Sequence, residues 1–331
     1  MTIERSDVGF MQILIEAKGL KKTYILRKGI WGIHDRIRAI DGVDLYIKKG
    51  ETLGLVGESG CGKSTLAKLL LRLEEPDEGI IIYDGINLTS LSDPELKFIR
   101  KRTQIIFQDP FDSLNPRKKI LKILEEPLKI HNLYNDKKLR KEKIEEVLEK
   151  VGLSPEVLDK YPHEFSGGQR QRIAIARAII LDPEFIIADE PLSALDVSVQ
   201  AQILKLFIEL KEKMQLTYLF ISHDIGIIEY IANRIAVMYL GKIVEFGPKR
   251  EILTSPLHPY TKGLLASVLK LGSKSLSIPF LNEEPMNFKG ISEGCAFYHR
   301  CPERIERCKN EVPFLKGTEK GRFVACLRVF T

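Results

Sequence analysis

Gly57-Glu58-Ser59-Gly60-Cys61-Gly62-Lys63-Ser64-Thr65 meets the pattern G-x-x-x-x-G-K-[ST] at every fixed position. The glycines let the backbone close around a phosphate and turn its N–H groups inward, because no Cβ blocks the approach. Lys63 brings a flexible point charge to β and γ phosphates, and the Ser64 hydroxyl suits a Mg²⁺ ion. The flanks agree. Glu51-Thr52-Leu53-Gly54-Leu55-Val56 reads as a short apolar strand entering the loop. Leu66-Ala67-Lys68-Leu69-Leu70-Leu71 reads as a helix leaving it, with its N-terminus toward the anion. The competing reading is a Gly-rich turn that only resembles a phosphate loop.

The chain of 331 residues has room for about two domains. Its 44% hydrophobic and 29% charged content is that of a globular protein able to build a sizeable core. The net charge of +6 is spread along the chain with both signs mixed, and Lys and Arg are not clustered as a nucleic-acid footprint requires. Residues 1–7 are polar and lack an apolar stretch behind them, so no secretory leader is expected. Arg177 and Asp182 interrupt the longest apolar stretch, residues 173–188, so a soluble protein is expected, with any membrane role exerted through a partner. There is no internal repeat and no low-complexity segment.

Upstream of the loop, Ile13-Leu14-Ile15-Glu16-Ala17 and Leu20-Lys21-Lys22-Thr23-Tyr24 read as strand. Tyr24 could stack on an adenine or cap a sheet edge, and residue type does not separate the two. Residues 27–38, basic and holding the only Trp, read as an exposed insertion between strands. Residues 39–47 alternate as a half-buried strand does. Downstream, Ile80-Ile81-Ile82-Tyr83 and Gln104-Ile105-Ile106-Phe107 are strands. Gln108 follows the second, and the C-terminal ends of strands are where ligand-binding groups gather in open α/β sheets. From about 109 to 180 strand signals vanish, and Ile144, Val147, Leu148 and Val151 recur at helical spacing, marking an inserted helical subdomain. Near its end, Ser166-Gly167-Gly168-Gln169 opens an Ala-rich helix, either as a second anion site or as an ordinary N-cap. Phe185-Ile186-Ile187-Ala188 is a fully apolar run, as a central parallel strand requires. Asp189 and Glu190 follow at its tip, one suited to Mg²⁺ and the other to activating a water. Ser193-Ala194-Leu195-Asp196 then opens a helix running to about Met214, and Thr217-Tyr218-Leu219-Phe220-Ile221-Ser222 is a further buried strand ending at His223.

These six elements stand in a fixed order: phosphate loop, Gln108, Ser166-Gly167-Gly168-Gln169, Asp189-Glu190, Ser193 to Asp196, and His223. The set resembles the Walker A, Q-loop, signature, Walker B, D-loop and H-loop motifs of ABC-type ATPases over residues 12–250. The resemblance implies an α/β P-loop NTPase (RecA-like) parallel-sheet core with an antiparallel β subdomain, a helical insertion and a small Cys-rich tail. It implies ATP and Mg²⁺ as cofactors. Residues 57–65, Ser166 to Gln169, Asp196 and Tyr24 would contact nucleotide. Ser64, Gln108 and Asp189 would serve Mg²⁺, Glu190 would be the catalytic base, and His223 would contact the γ-phosphate. Two subunits would sandwich ATP between the loop of one and the signature of the other.

Phe107-Gln108-Asp109-Pro110-Phe111-Asp112-Ser113-Leu114-Asn115-Pro116-Arg117 and Ser255-Pro256-Leu257-His258-Pro259-Tyr260-Thr261-Lys262-Gly263-Leu264-Leu265 resemble the oligopeptide/dipeptide importers, as does the loop at 25–38. The first stretch is similar to the second of the two ATPases such importers carry. The expected partners are a homologous ATPase (a homodimer in isolation), two membrane permeases and an extracellular solute-binding protein. The expected location is the cytoplasmic face of the membrane. Residues 251–331 would form the C-terminal extension. Nickel and oligosaccharide importers share this ATPase type. A soluble ABC protein acting on nucleic acid would want a second nucleotide domain or a coiled-coil arm, and neither is present. A regulatory iron–sulfur subunit with a degenerate ATP site would not keep Asp189-Glu190 and the signature.

Cys295, Cys301, Cys308 and Cys326 form C-x5-C-x6-C-x17-C. Disulfides fit poorly on a cytosolic face. Zinc usually takes a short C-x2–4-C chelate, which is missing. A 4Fe-4S cluster takes four Cys with freer spacing, and some of the resembling ATPases hold one. Arg300, Arg304, Arg307 and Lys309 are expected to favour thiolates or offset cluster charge. Cys61 stands at a variable position of the loop as a small space-filling residue.

Overall fold

The computed structural model describes residues 12–28, 33–109, 113–268 and 294–330. Residues 1–7, Trp31 and residues 110–112, read above from sequence, lie outside the described residues. The chain divides into two compact units, Met1–Ser90 with Ser222–Thr331, and Leu91–Ile221.

In the first unit, β1 (Ile13–Lys28) pairs antiparallel with β2 (Ile33–Lys48) and, on its other side, with β4 (Glu78–Tyr83). A two-residue strand, β5 (Ile86–Asn87), completes this sheet in the order β2-β1-β4-β5. Leu14, Ile15, Leu20, Ile40, Ile47 and Ile81 are among its fully buried side chains. The expected insertion loop at 27–38 is corrected here. Arg27 faces His34, Lys28 faces Ile33, and β2 continues through Arg38, so the two strands form one long hairpin. Backbone pairing satisfies N–H and carbonyl groups along both arms whatever their side chains, which a basic composition does not reveal.

The same unit holds β3 (Thr52–Val56), parallel to β9 (Arg234–Tyr239), which pairs antiparallel with β10 (Lys242–Pro248). Two short strands from the tail, β12 (Arg322–Val324) and β11 (Lys316–Thr318), extend this set in the order β3-β9-β10-β12-β11. β3 is buried throughout and delivers the chain into the phosphate loop. The helix Lys63–Leu70 leaves that loop and buries Leu66, Ala67, Leu69 and Leu70.

The second unit contains three parallel strands in the order β6-β7-β8, namely Thr103–Ile106, Phe185–Asp189 and Thr217–Ile221. Every residue of β7 and β8 is buried, as their largely apolar sequence requires of strands covered on both faces. Among the described residues from 107 to 184 there is no strand, and the helices Ile120–Ile130, Lys137–Lys150 and Gly167–Ile179 fill the span. Ile144, Val147, Leu148 and Val151 are fully buried, the face the helical spacing marked. Asp136 starts its helix by accepting from the Lys138 and Leu139 N–H groups at 2.7 and 3.1 Å.

Candidate functional site

The phosphate loop is shaped by two close backbone approaches. A Cβ on Gly57 would lie 2.2 Å from the Met238 carbonyl oxygen, and one on Gly62, whose φ is +110°, would lie 2.4 Å from the Ala39 carbonyl oxygen. Only glycine lets the loop pass β9 and β2 at these distances. The Lys63 ammonium donates to the Gly57 carbonyl at 2.9 Å and to the Glu58 carbonyl at 3.0 Å, so its charge spans the loop. Gly62 stands at the N-cap of the helix with no side-chain cap bond, and Leu66 N–H opens the helical ladder on Gly62 at 2.9 Å. The Ser64 side chain is exposed beside it. Burial pushes the Cys61 thiol up to about 11, so it is a neutral, packed side chain, as expected of a space-filling residue.

Tyr24 lies on β1 opposite Ile37. Its hydroxyl donates to the Glu74 carboxylate, and the Lys22 ammonium sits 5.9 Å from its ring. Burial, then the Glu74 bond, raises its pKa, while a bond with Thr65 of the loop lowers it. His223 is exposed. It follows Ser222, whose N–H donates to the Leu55 carbonyl at 3.2 Å, so this unit fixes His223 beside the strand that feeds the loop.

The second unit gathers the remaining motif residues. Asp189 ends β7 and is buried, paired in register with Ile221 of β8. Glu190 follows with a φ of +46°, a left-handed turn uncommon for a side chain of this size. Its N–H donates to the Ile221 carbonyl at 3.0 Å, and its carbonyl accepts from Ser193 N–H and Oγ at 3.3 and 3.0 Å. The turn lifts the carboxylate off the strand tip, where Gln108 Nε2 donates to Oε2 at 3.2 Å. Gln108 is thereby brought to Glu190 from the end of the neighbouring strand.

Ser166 caps the helix Gly167–Ile179 through a capping box with Gln169, with Gln169 N–H on Ser166 Oγ at 3.4 Å. Asp196 caps the helix Val197–Met214 by accepting from Val199 N–H at 3.0 Å, and its pKa is lowered by the Ser198 hydroxyl and that N–H. That helix starts at Val197, later than the Ser193 read from sequence, because residues 193–196 form turns that end in the cap. The two helix starts touch. A Cβ on Gly168 would meet Val199 Cγ1 at 2.6 Å, and one on Gly167 would meet Leu195 Cδ2 at 3.3 Å.

In the tail, none of the four cysteines is joined in a disulfide. Cys295 N–H donates to the Cys308 carbonyl at 2.8 Å. Burial first, and then Cys308, Cys301 and Cys326 acting through charge, push the Cys295 thiol up to about 12. Burial likewise pushes Cys301 up to about 11 and raises Cys326. In these three thiols burial acts against the thiolate form that the basic neighbours are expected to favour. Arg300 is engaged with Glu58, Arg307 with Glu311, and Arg304 with the His299 carbonyl. Among the described residues, no group of three or more His, Cys, Asp or Glu is arranged to hold a metal ion.

Three contacts were not read from the sequence: Arg300 on Glu58, Tyr260 on the Glu58 N–H, and Val199 against Gly168. Glu58, Gly168 and Tyr260 lie in the motifs, and nothing in the spacing of Arg300, Tyr260 or Val199 points to these contacts.

A family model described as "ABC transporter" matches residues 40–193, and one described as "Oligopeptide/dipeptide transporter, C-terminal region" matches residues 244–308. "Oligopeptide transport ATP-binding protein AppF" of Bacillus subtilis is 49% identical, over 95% of this chain and 97% of the relative. "Dipeptide transport ATP-binding protein DppF" of Haemophilus influenzae is 47% identical, over 96% of this chain and 97% of the relative. Among solved structures, "Dimeric structure of a post-hydrolysis state of the ATP-binding cassette MJ0796 bound to ADP and Pi" is 32% identical with a TM-score of 0.63, covering 72% of this chain and 99% of that one. The chain belongs to the ABC transporter family, as an ATP-hydrolysing cassette with the C-terminal region of oligopeptide/dipeptide transporters.

Proposed function

We propose that this chain hydrolyses ATP to power the uptake of di- or oligopeptides through partner permeases. The observation that carries the hydrolytic role is the Glu190 carboxylate, raised off the tip of β7 by a left-handed turn and held by the Gln108 amide at 3.2 Å. In this reading Glu190 takes the proton of the attacking water. Lys63 leaves its two loop carbonyls to meet the β and γ phosphates, and the loop N–H groups from Gly57 to Thr65 cradle them. Ser64, Asp189 and Gln108 would hold Mg²⁺, which neutralises charge on the phosphates when bound. His223 contacts the γ-phosphate, and the Tyr24 ring stacks on adenine while its hydroxyl stays with Glu74. Ser166 to Gln169 and Asp196, whose helix starts touch, act as one face toward the nucleotide of a second subunit. Residues 12–250 form the ATPase domain and 251–331 the extension.

The peptide substrate rests on the names of the relatives, since the solute is chosen by other subunits. We assign the chain as the second-type ATPase of a heterodimer, docked on two permeases at the cytoplasmic face and served by an extracellular solute-binding protein. No helix of the described residues is long and apolar enough to cross a membrane. For the tail, a 4Fe-4S cluster held by Cys295, Cys301, Cys308 and Cys326 is favoured over zinc. Its support is the charge that Cys308, Cys301 and Cys326 exert on Cys295, with spacing too wide for a zinc chelate. A brown chromophore in anaerobically purified protein would identify it, and a colourless protein carrying zinc would overturn it. For the ATPase, Glu190→Gln in the assembled transporter should bind ATP normally and turn over at least 10²-fold more slowly. Near-normal turnover would refute the role of Glu190.

A further inference from the structure

Position 58 of the phosphate loop is gripped from outside the loop. Arg300 Nη1 donates to Glu58 Oε2 and Nη2 to Glu58 Oε1, both at 2.9 Å, a two-pronged pair. The Arg300 side chain is 3% exposed and that of Glu58 21%, so the pair is largely withdrawn from solvent. Nη1 also donates to the Tyr239 hydroxyl at 3.3 Å. A second tail residue acts on the same position: the Glu58 backbone N–H donates to the Tyr260 hydroxyl at 3.0 Å. The rings of Tyr239, Tyr260 and Phe297 pack on one another with centroids 4.7 to 5.5 Å apart, which fixes both accepting hydroxyls. Arg300 itself ends the short helical turn Tyr298–Arg300, whose first N–H is held by the Cys295 carbonyl at 2.9 Å.

Glu58 is thus fixed at its side chain and its N–H, while its carbonyl accepts from Lys63. We propose that Arg300 and Tyr260 are positioning residues of the nucleotide site. They hold Glu58 so that the loop keeps its cradle and Lys63 its starting position, and the C-terminal extension thereby sets the affinity for nucleoside triphosphate. This rests on residues 57–65 being the phosphate cradle. The alternative is that the pair only fastens the tail to the first unit. The two differ in what they move, because fastening changes stability and positioning changes nucleotide affinity.

The test uses the full chain assembled with its partner subunits, with Kd for a non-hydrolysable ATP analogue, KM for ATP, kcat and thermal midpoint all measured. Glu58→Gln leaves the tail's sequence intact and removes the carboxylate from the loop side; Arg300→Ala removes the fork. Each should raise Kd and KM by about tenfold, with kcat at saturating ATP changed by less than about twofold. The double variant should be no weaker than either single, because both delete one interaction. Arg300→Lys should fall between, since an ammonium cannot reproduce the fork. An unchanged Kd in Glu58→Gln, with Arg300→Ala lowering only the thermal midpoint, would overturn the proposal. Normal nucleotide binding by Lys63→Ala would instead refute the cradle reading, whatever the Arg300 variants do.

Discussion

Gly168 offers the sharpest test of how the signature segment is built. An added Cβ would sit 2.6 Å from Val199 Cγ1, where ordinary contact begins near 3.4 Å, so the atoms must part by about 0.8 Å. Val199 lies in the first turn of the helix Val197–Met214. Its β-branched side chain has one strongly preferred χ1 rotamer in a helix, so it cannot swing aside cheaply. The strain therefore falls on the two helix starts, the one capped by Ser166 and the one capped by Asp196. Overpacking of this kind costs about 1–3 kcal/mol. Gly168→Ala should lower the stability of the chain by that amount in urea unfolding. It should also slow ATP turnover by the assembled transporter, because the N–H groups at the start of the signature helix shift. Val199→Ala in the same chain removes the colliding methyl and should return most of both losses. If Gly168→Ala is as stable and active as the parent, or if Val199→Ala does not relieve it, the contact is not what selects glycine here.

Two further outcomes follow from buried groups in the first unit. Burial, then the Lys262 charge, lowers His258 from 6.5 to about 3, with its Nδ1 accepting the Tyr260 N–H at 3.1 Å. The unfolded chain therefore binds a proton below 6.5 that the folded chain refuses. The stability His258 contributes is full above pH 6.5 and is lost as pH falls toward 3, at about 1.4 kcal/mol per pH unit. Glu245, raised by burial, acts in the opposite sense, so the comparison must be with His258→Asn, which keeps an acceptor for Tyr260 but does not titrate. The wild-type advantage in urea midpoint should shrink from pH 7 to pH 4.5; a constant difference would refute the assignment. Arg234 bonds Glu51 at 3.1 Å with both side chains buried, and its guanidinium lies 4.2 and 4.1 Å from the Tyr46 and Phe246 ring centroids. Arg234→Ala strands the Glu51 charge and should cost about 3–5 kcal/mol. Adding Glu51→Gln should recover part of that in the same unfolding assay, and no recovery would place the loss in the ring stack instead.

The motif residues were legible in the sequence because each chemistry restricts residue type and position. A phosphate cradle needs glycines where backbones close in, and a Cβ on Gly57 or Gly62 would meet a carbonyl oxygen at 2.2 or 2.4 Å. The buried parallel strands were legible because β7 and β8 carry no polar residue that would mark a solvent face until their ends. The hairpin at 27–38 and the tail strands β11 and β12 were not. Three-residue strands hold no period, and they exist because β10 presents an edge that Glu245 and Phe246 share with Val324 and Phe323. Pairing to an edge is a tertiary property, and local pattern does not encode it. The run Arg234–Tyr239 followed by the turn at Leu240-Gly241 is a hairpin that carries no site motif.

Arg300 shows a different limit. It stands 242 positions from Glu58 and next to Cys301, so a thiol-directed role was the natural local reading. The fold redirects its charge because a bidentate carboxylate largely withdrawn from solvent is a stronger partner than a half-buried, protonated thiol. Glu190 illustrates the converse. Its type was obvious and its conformation was not: a left-handed backbone costs a non-glycine residue about 1–2 kcal/mol. Glycine at that position would relieve the strain, and the chain instead carries a carboxylate there, held by Ile221, Ser193 and Gln108. A strained backbone held by the neighbouring strand and its own turn, with its carboxylate held by Gln108, is what a group needs if it must meet a water at one position rather than sample several.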